Sequence, residues 1–276
     1  MPRFDPHPER RPAIVTGASS GIGEATATAL ATAGYPVALG ARRVEKCEEL
    51  AATIRAGGGE AFAHHLDVGD SDSVKAFAAA AQDALGPAEI VVSGAGDLAA
   101  GRVHELDPDE FLAQIQVHLV GVHRLVAAFV PGMVARRRGD LVFISSDTVG
   151  VPRTWTGAYV AAKNGVEGMA RTMQMELEGT GVRASIVRPG PTATGMGMGW
   201  DAGTTANVLD DWVRWGAARH PYFLRPSDIA AVVATIVGTP RGAHLHMVEV
   251  QPEAPLAEQP ALAEQSPLEE NRTEEK

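Results

Sequence analysis

The stretch "IVTGASSGIG", residues 14–23, runs from a β-type segment into a helical pattern through three glycines, Gly17, Gly21 and Gly23. Glycine lets a chain turn tightly and lets backbone come close to a bound pyrophosphate, whose charge the following helix N-terminus favours. The spacing is wider than GxGxxG, and the same residues suit a turn that holds no ligand. Ser19, Ser20 and Ile22 lie in the same turn and join the glycines as cofactor-binding candidates.

Outward from this turn the pattern alternates. β-type runs occur at "AIVTG", "PVALG", "EAFAHHLDV", "EIVVSG", "DLVFISS", "VRASIV" and "HLHMVEV". Helical patterns fill the gaps at 22–33, 44–56, 71–84, 109–134, 158–178 and 227–237. The apolar character of "AIVTG" and "EIVVSG" suits strands covered on both faces. Strands alternating with helices of this length predict an α/β fold: a Rossmann-type doubly wound parallel sheet in a single domain over about residues 11–250.

A chain of 276 residues with 45% hydrophobic residues is long enough for one full core. Cys47 is the single cysteine, which excludes an intrachain disulfide and supplies no thiolate cluster for zinc. The histidines are dispersed, so no metal site is expected. A formal charge of -10 disfavours nucleic acid as a partner. No uncharged apolar run approaches the roughly 18 residues of a membrane span, and the polar, proline-rich start has no signal-peptide core. A cytoplasmic protein that does not engage a membrane is the expectation. Residues 1–10 read as a flexible arm. Residues 251–276 carry seven acidic and two basic residues, half the net charge, and read as a mostly disordered acidic tail.

The second strand ends in "VALGARRVEK". NAD-preferring dinucleotide folds commonly place an acidic residue there for the ribose 2′-hydroxyl. This chain has Ala41, then Arg42 and Arg43, two guanidinium groups suited to a 2′-phosphate or simply to solvent. The expected cofactor is NADP(H). "HLDVGD" puts Asp67 and Val68, and "VVSGAG" puts Gly94, Ala95 and Gly96, where carboxyl ends of strands form a ligand crevice. Asp67 suits an adenine amino group or a helix cap, a role that Asp70 fits better.

"YVAAK", residues 159–163, sets Tyr159 and Lys163 one helical turn apart on a shared face. The lysine charge would favour the phenolate and lower the tyrosine pKa from about 10. Taken alone, the spacing better suits an ordinary amphipathic helix.

The order of "TGASSGIG", "DV" at 67–68, "SGAG" at 93–96, Ser146, "YVAAK" and "RPGPTAT" at 188–194 resembles the short-chain dehydrogenase/reductase family over about residues 11–250. The resemblance implies interconversion of an alcohol and a carbonyl by hydride transfer with NAD(P). Tyr159 would be the acid in reduction and the base in oxidation. Lys163 would lower its pKa and hold the nicotinamide ribose. Ser146, thirteen residues before the tyrosine, would bind the substrate oxygen, ahead of Ser145. Pro189 and Gly190 would line the nicotinamide pocket, with Thr192 and Thr194 beside it. Two positions depart from the pattern. Ser93 and Gly94 replace an Asn pair after the fourth strand, and "QIQVHLVGVHRL" places His118 where the family carries a catalytic Asn. His118 is readable as a packed helix residue, as a substitute in a relay behind Lys163, or as a loss of normal turnover.

Residues 191–225 form a long insertion, which the resemblance makes a lid over the substrate. Gly195, Gly197 and Gly199 permit motion, while Met196, Met198, Trp200, Trp212 and Trp215, with Trp155 nearby, supply apolar surface. A fairly apolar small-molecule carbonyl or alcohol is the expected substrate, and subunit packing is the competing use of these residues. Trp212 and Trp215, three apart, suit one helical face. The resemblance also implies a homodimer or homotetramer through helices 109–134 and 158–178. The rival functions are a non-catalytic NADP-binding regulator or scaffold and an epimerase or dehydratase using the same pocket.

Overall fold

Strand and helix alternate through the computed structural model, which describes residues 4–197, 199–217, 220, 222–254 and 256. β1 (Ala13–Thr16) leads into α1 (Gly21–Thr32), followed by β2 (Val37–Ala41), α2 (Val44–Ala56), β3 (Ala61–His65), α3 (Ser71–Leu85) and β4 (Ile90–Ser93). Next come α4 (Pro108–Ile115), a π-helical turn (Gln116–Val120), α5 (Gly121–Ala135), β5 (Gly139–Ile144) and a 3-10 turn (Asp147–Val149). The chain continues through α6 (Gly157–Glu176), β6 (Val182–Pro189), α7 (Ala202–Arg214), α8 (Pro226–Gly238) and β7 (Met247–Val250).

The strands make one parallel sheet in the order β3-β2-β1-β4-β5-β6-β7, with Val15 opposite Leu39 on one side and Val92 on the other. The order reverses between β1 and β4, and at such a switch point the carboxyl ends of the strands open a crevice. Central strands are apolar throughout because helices cover both faces. On one face Phe77 of α3, Phe129 of α5 and Val166 of α6 pack with Val91 and Leu141. On the other, Leu30 of α1, Cys47 of α2 and Ile229 of α8 pack with Val15 and Val142. Burial pushes the Cys47 thiol up to about 11, so it is an inert core residue. The fold is the doubly wound α/β sheet that the alternation predicts.

The pattern over 109–134 predicts one unbroken helix, whereas the structure divides it into α4, the π turn and α5. The buried positions Gln114, His118, Val122, Leu125 and Phe129 keep a three-to-four-residue spacing across the π turn, so periodicity does not betray it. Within the run Pro108–Ala135 an 18-residue window has a mean hydropathy of 1.5, and the run has the length to cross a membrane, but it lies on the sheet through Leu125, Phe129 and Met133.

A charged cluster that sequence reading missed sits inside. Asp140 of β5 is 2% exposed, pairs with Arg11, and accepts from Nε of Arg183 at 2.6 Å. Arg11 also donates to the Val237 carbonyl at 2.7 Å. Residues 4–10 have no regular secondary structure, although His7 contacts the Thr239 carbonyl at 3.0 Å and Arg10 donates to that of Leu85 at 3.1 Å. Most of the predicted acidic tail lies outside the described residues.

Candidate active site

The glycine turn is tight for a physical reason. Gly17 has φ 72°, and a Cβ there would lie 2.7 Å from the Gly94 carbonyl oxygen; a Cβ on Gly23 would strike the carbonyl of Gly17. Ser20 caps α1 without a side-chain bond, so the first-turn N–H groups receive no side-chain acceptor from it. Arg43 Nη2 donates to Ser19 Oγ at 3.0 Å and Ser20 Oγ at 2.8 Å, placing its charge above this helix end, with exposed Arg42 next in the chain. Asp67 Oδ1 accepts from Gly69 N at 2.8 Å, and Asp70 caps α3 by accepting from Asp72 N at 3.0 Å, so the cap belongs to Asp70. Val68 is buried.

Thr16 holds the loop after β4, a role that sequence reading missed. Its Oγ1 accepts from Gly94 N at 3.1 Å and Ala95 N at 3.2 Å and donates to the Val92 carbonyl at 3.4 Å. The available signal was its position immediately before Gly17. Ser93 instead donates to the Val142 carbonyl at 3.5 Å. Gly96 lies against the His118 imidazole, leaving no room for a Cβ.

Ser146, Tyr159, Lys163 and His118 come together in the interior. Ser146 follows β5 and accepts from Thr148 N at 3.2 Å and Thr148 Oγ1 at 3.0 Å. Ser145 donates to Glu167 at 2.8 Å and is committed there. Tyr159, in the first turn of α6, and Lys163 one turn later are both buried. The His118 ring meets that of Tyr159 edge-on, 5.0 Å between centroids. Its Nε2 lies 2.5 Å from the Asp97 carbonyl and 3.3 Å from Asp97 N, the shorter contact favouring a hydrogen on Nε2, and Nδ1 is buried with no hydrogen-bond partner among the described residues.

The electrostatics correct two expectations. Burial pushes the Tyr159 phenol up to about 12; a bond from Ser146 opposes this, Asp147 adds to it and Arg153 opposes it. Lys163 Nζ is 5.4 Å from the ring centroid and donates to the Ile144 carbonyl at 2.7 Å, and in this arrangement burial of the phenol is the larger influence. Burial lowers Lys163 itself to about 8. His118 does not titrate near neutrality. Burial first, and the Lys163 charge second, lower it to about 3 against its bond to Asp97, so the imidazole is neutral.

The far wall comes from β6 onward. Pro189 ends the strand, Gly190 N donates to the Val250 carbonyl at 2.7 Å, and Thr192 Oγ1 donates to the Gly190 carbonyl at 2.8 Å. The Thr194 methyl lies 3.2 Å from where a Cβ on Gly21 would stand, so this loop crosses the glycine turn. Trp200 Nε1 donates to the Leu98 carbonyl at 2.9 Å, and Trp212 Nε1 to that of Thr154 at 3.0 Å. Trp215 is 71% exposed beyond the end of α7 and does not share the packed face of Trp212. Met198 lies outside the described residues. Sequence reading also missed buried Asp147 and half-buried Arg153, joined by two bonds of 2.8 and 2.6 Å.

The family model described as short chain dehydrogenase matches residues 11–204. Glycine betaine reductase ATRR of Emericella nidulans is 35% identical over 87% of this chain, which spans only 18% of that protein. The 2,3-dihydro-2,3-dihydroxybenzoate dehydrogenase of Bacillus subtilis is 32% identical over 87% of this chain and 93% of its own. An alcohol dehydrogenase from the archaeon Thermococcus sibiricus, solved in complex with 5-hydroxy-NADP, has a TM-score of 0.77 and 32% identity, covering 89% of this chain and 100% of that one.

Proposed function

We propose, for a chain that belongs to the short-chain dehydrogenase family, NADP(H)-dependent interconversion of a carbonyl and an alcohol on a fairly apolar substrate. One observation carries this reading: Ser146, Tyr159 and Lys163 gather with His118, whose ring lies against Gly96 of the loop that packs on Gly17 of the glycine turn. The turn fits a dinucleotide, since Gly17 and Gly23 leave no room for a Cβ and the α1 N-terminus suits a pyrophosphate. Arg43, with Arg42, would take the 2′-phosphate. Asp67, Val68 and the Gly94–Gly96 loop would flank the adenosine half, and Pro189, Gly190, Thr192 and Thr194 the nicotinamide half. When bound, the cofactor supplies or accepts the hydride.

The chain's own residues manage the proton. Tyr159, protonated at neutral pH, gives its hydroxyl hydrogen to the carbonyl oxygen in reduction and recovers it in oxidation. Ser146 donates a hydrogen bond to the same oxygen. The Lys163 ammonium, fixed by the Ile144 carbonyl, offsets the charge that develops on the phenol. His118 is a neutral acceptor through Nδ1 in the relay behind Lys163. The α7 segment acts as a lid, its tryptophans giving the site an apolar wall. We place the protein in the cytoplasm as a homodimer or homotetramer.

Fluorescence titration with NADPH and NADH tests the cofactor reading: NADPH binds selectively, and Arg43→Ala removes the selectivity. Equal affinity for both cofactors overturns it. In a carbonyl screen with NADPH, Tyr159→Phe lowers turnover by about 10²–10⁴-fold. NADPH binding with no carbonyl or alcohol turned over leaves a regulatory NADP-binding protein instead.

A further inference from the structure

Asp147 and Arg153 lie between the proton-transfer residues and α7. Asp147 follows Ser146 in the chain, and its Oδ1 is 3.4 Å from Ser146 Oγ. It is 7% exposed, and a carboxylate so buried is costly unless paired. The pairing comes from the Arg153 fork, at 2.8 Å to Oδ1 and 2.6 Å to Oδ2, while Gln251, beyond β7, donates to Oδ2 at 3.3 Å.

The other side of Arg153 faces α7. Its guanidinium carbon is 5.5 Å from the centroid of the Trp212 ring, within cation–π range. Trp212 also donates to the carbonyl of Thr154, the residue after Arg153. The next residue returns the link: Trp155 Nε1 donates to Asp211 Oδ2 of α7 at 2.8 Å. Trp155 does so at φ 67°, a left-handed backbone that a bulky side chain rarely adopts. Three consecutive residues, 153–155, therefore lose partners together when α7 lifts.

We propose that Arg153 is a positioning residue that couples docking of α7 to the Ser146–Tyr159 site, keeping the Asp147 carboxylate neutralised while Trp212 covers the guanidinium. This rests on the reading of Tyr159 as the proton-transfer group. The charged or titratable groups around the phenol are Lys163 on its own helix, His118 from the π turn, and Asp147 with Arg153 from the β5–α6 connection. Asp147 and Arg153 act on the phenol in opposite senses. An undocked α7 takes Trp212 off the guanidinium and loosens the Arg153 grip on the carboxylate next to Ser146, so proton transfer waits for closure over the substrate.

The test uses the full chain in two assays. In the first, NADP-dependent alcohol oxidation is followed against pH. Arg153→Met moves the rising limb to higher pH and Asp147→Asn moves it to lower pH, each by about half a unit or more, and the double variant returns toward wild type. Trp212→Ala shifts the limb as Arg153→Met does. Arg153→Lys, which keeps the charge, holds it near wild type and serves if the methionine variant does not fold. In the second assay, tryptic cleavage after Arg214 reports release of α7 without any need for turnover. Arg153→Met and Asp147→Asn each speed this cleavage at least threefold. Both single variants shifting the limb in the same direction, or cleavage unchanged in both, overturns the proposal. Wild type that oxidises no alcohol overturns the reaction assignment, and the cleavage assay then decides the coupling by itself.

Discussion

His118 stands where the family resemblance expects an asparagine, and its imidazole stays neutral far into acid. Its folded pKa of about 3 lies below the ordinary 6.5, so as pH falls the unfolded chain takes the proton first. Stability is full above pH 6.5 and is lost as pH falls toward 3, with a slope of up to about 1.4 kcal/mol per pH unit. Urea unfolding between pH 6 and 4 should show this slope, and His118→Asn should flatten it. Lys163 has the same sign in an alkaline window: burial lowers it from 10.5 to about 8, so it loses its charge above that. The rate of carbonyl reduction should therefore decline as pH rises through about 8, while Lys163→Arg, if it turns over, shows no such decline; NADPH absorbance follows both. Tyr159, Lys163 and Ser146 were readable from the order of short motifs. Their protonation was not, because burial is decided by residues such as Ile144 and His118 that lie far from Tyr159 in the chain.

Among the elements, the seven strands of the described sheet and the helices on its two faces were legible because covered sheet faces demand long apolar runs broken by turns, whereas α7 lay inside the stretch read only as a lid. The glycine turn was legible for the same kind of reason, since few residues other than glycine adopt its backbone. Gly17→Ala puts a Cβ 2.7 Å from the Gly94 carbonyl at φ 72° and should cost about 1–3 kcal/mol of stability while weakening NADPH binding. Urea denaturation and nucleotide titration of the same variant check the two effects. The π turn was not legible, as apolar spacing passes through it unbroken. Nor was the end of α7: the Trp212–Trp215 spacing suggests one face, but the helix stops at Arg214. The Asp147–Arg153 pair escaped notice because each residue in isolation reads as a polar loop residue. Only the packing of α7 and Gln251 around them makes them interior.

For the whole molecule, the Arg11–Asp140–Arg183 cluster joins the chain's start to β5, β6 and the end of α8. Removing the shared carboxylate leaves two arginines without their buried partner. Asp140→Asn should lower unfolding free energy by about 3–5 kcal/mol, read from denaturant midpoints. Sedimentation at micromolar concentration should show a species of at least two chains, and a monomer at all concentrations would refute the proposed assembly.

The π turn at Gln116–Val120 has a consequence in the currency of chain length. A π turn is an α-helix with one surplus residue. Deleting a single residue within it would let one uninterrupted ladder run from Pro108 to Ala135 with α4 nearly in phase with α5, because the widened turn already absorbs the surplus residue. The widened turn that carries His118 against Tyr159 would close to an ordinary one, while Leu125, Phe129 and Met133 kept their places on the sheet. At this position the fold of this chain offers a way to rebuild the wall of the site through an insertion or deletion, with the core composition left as it is.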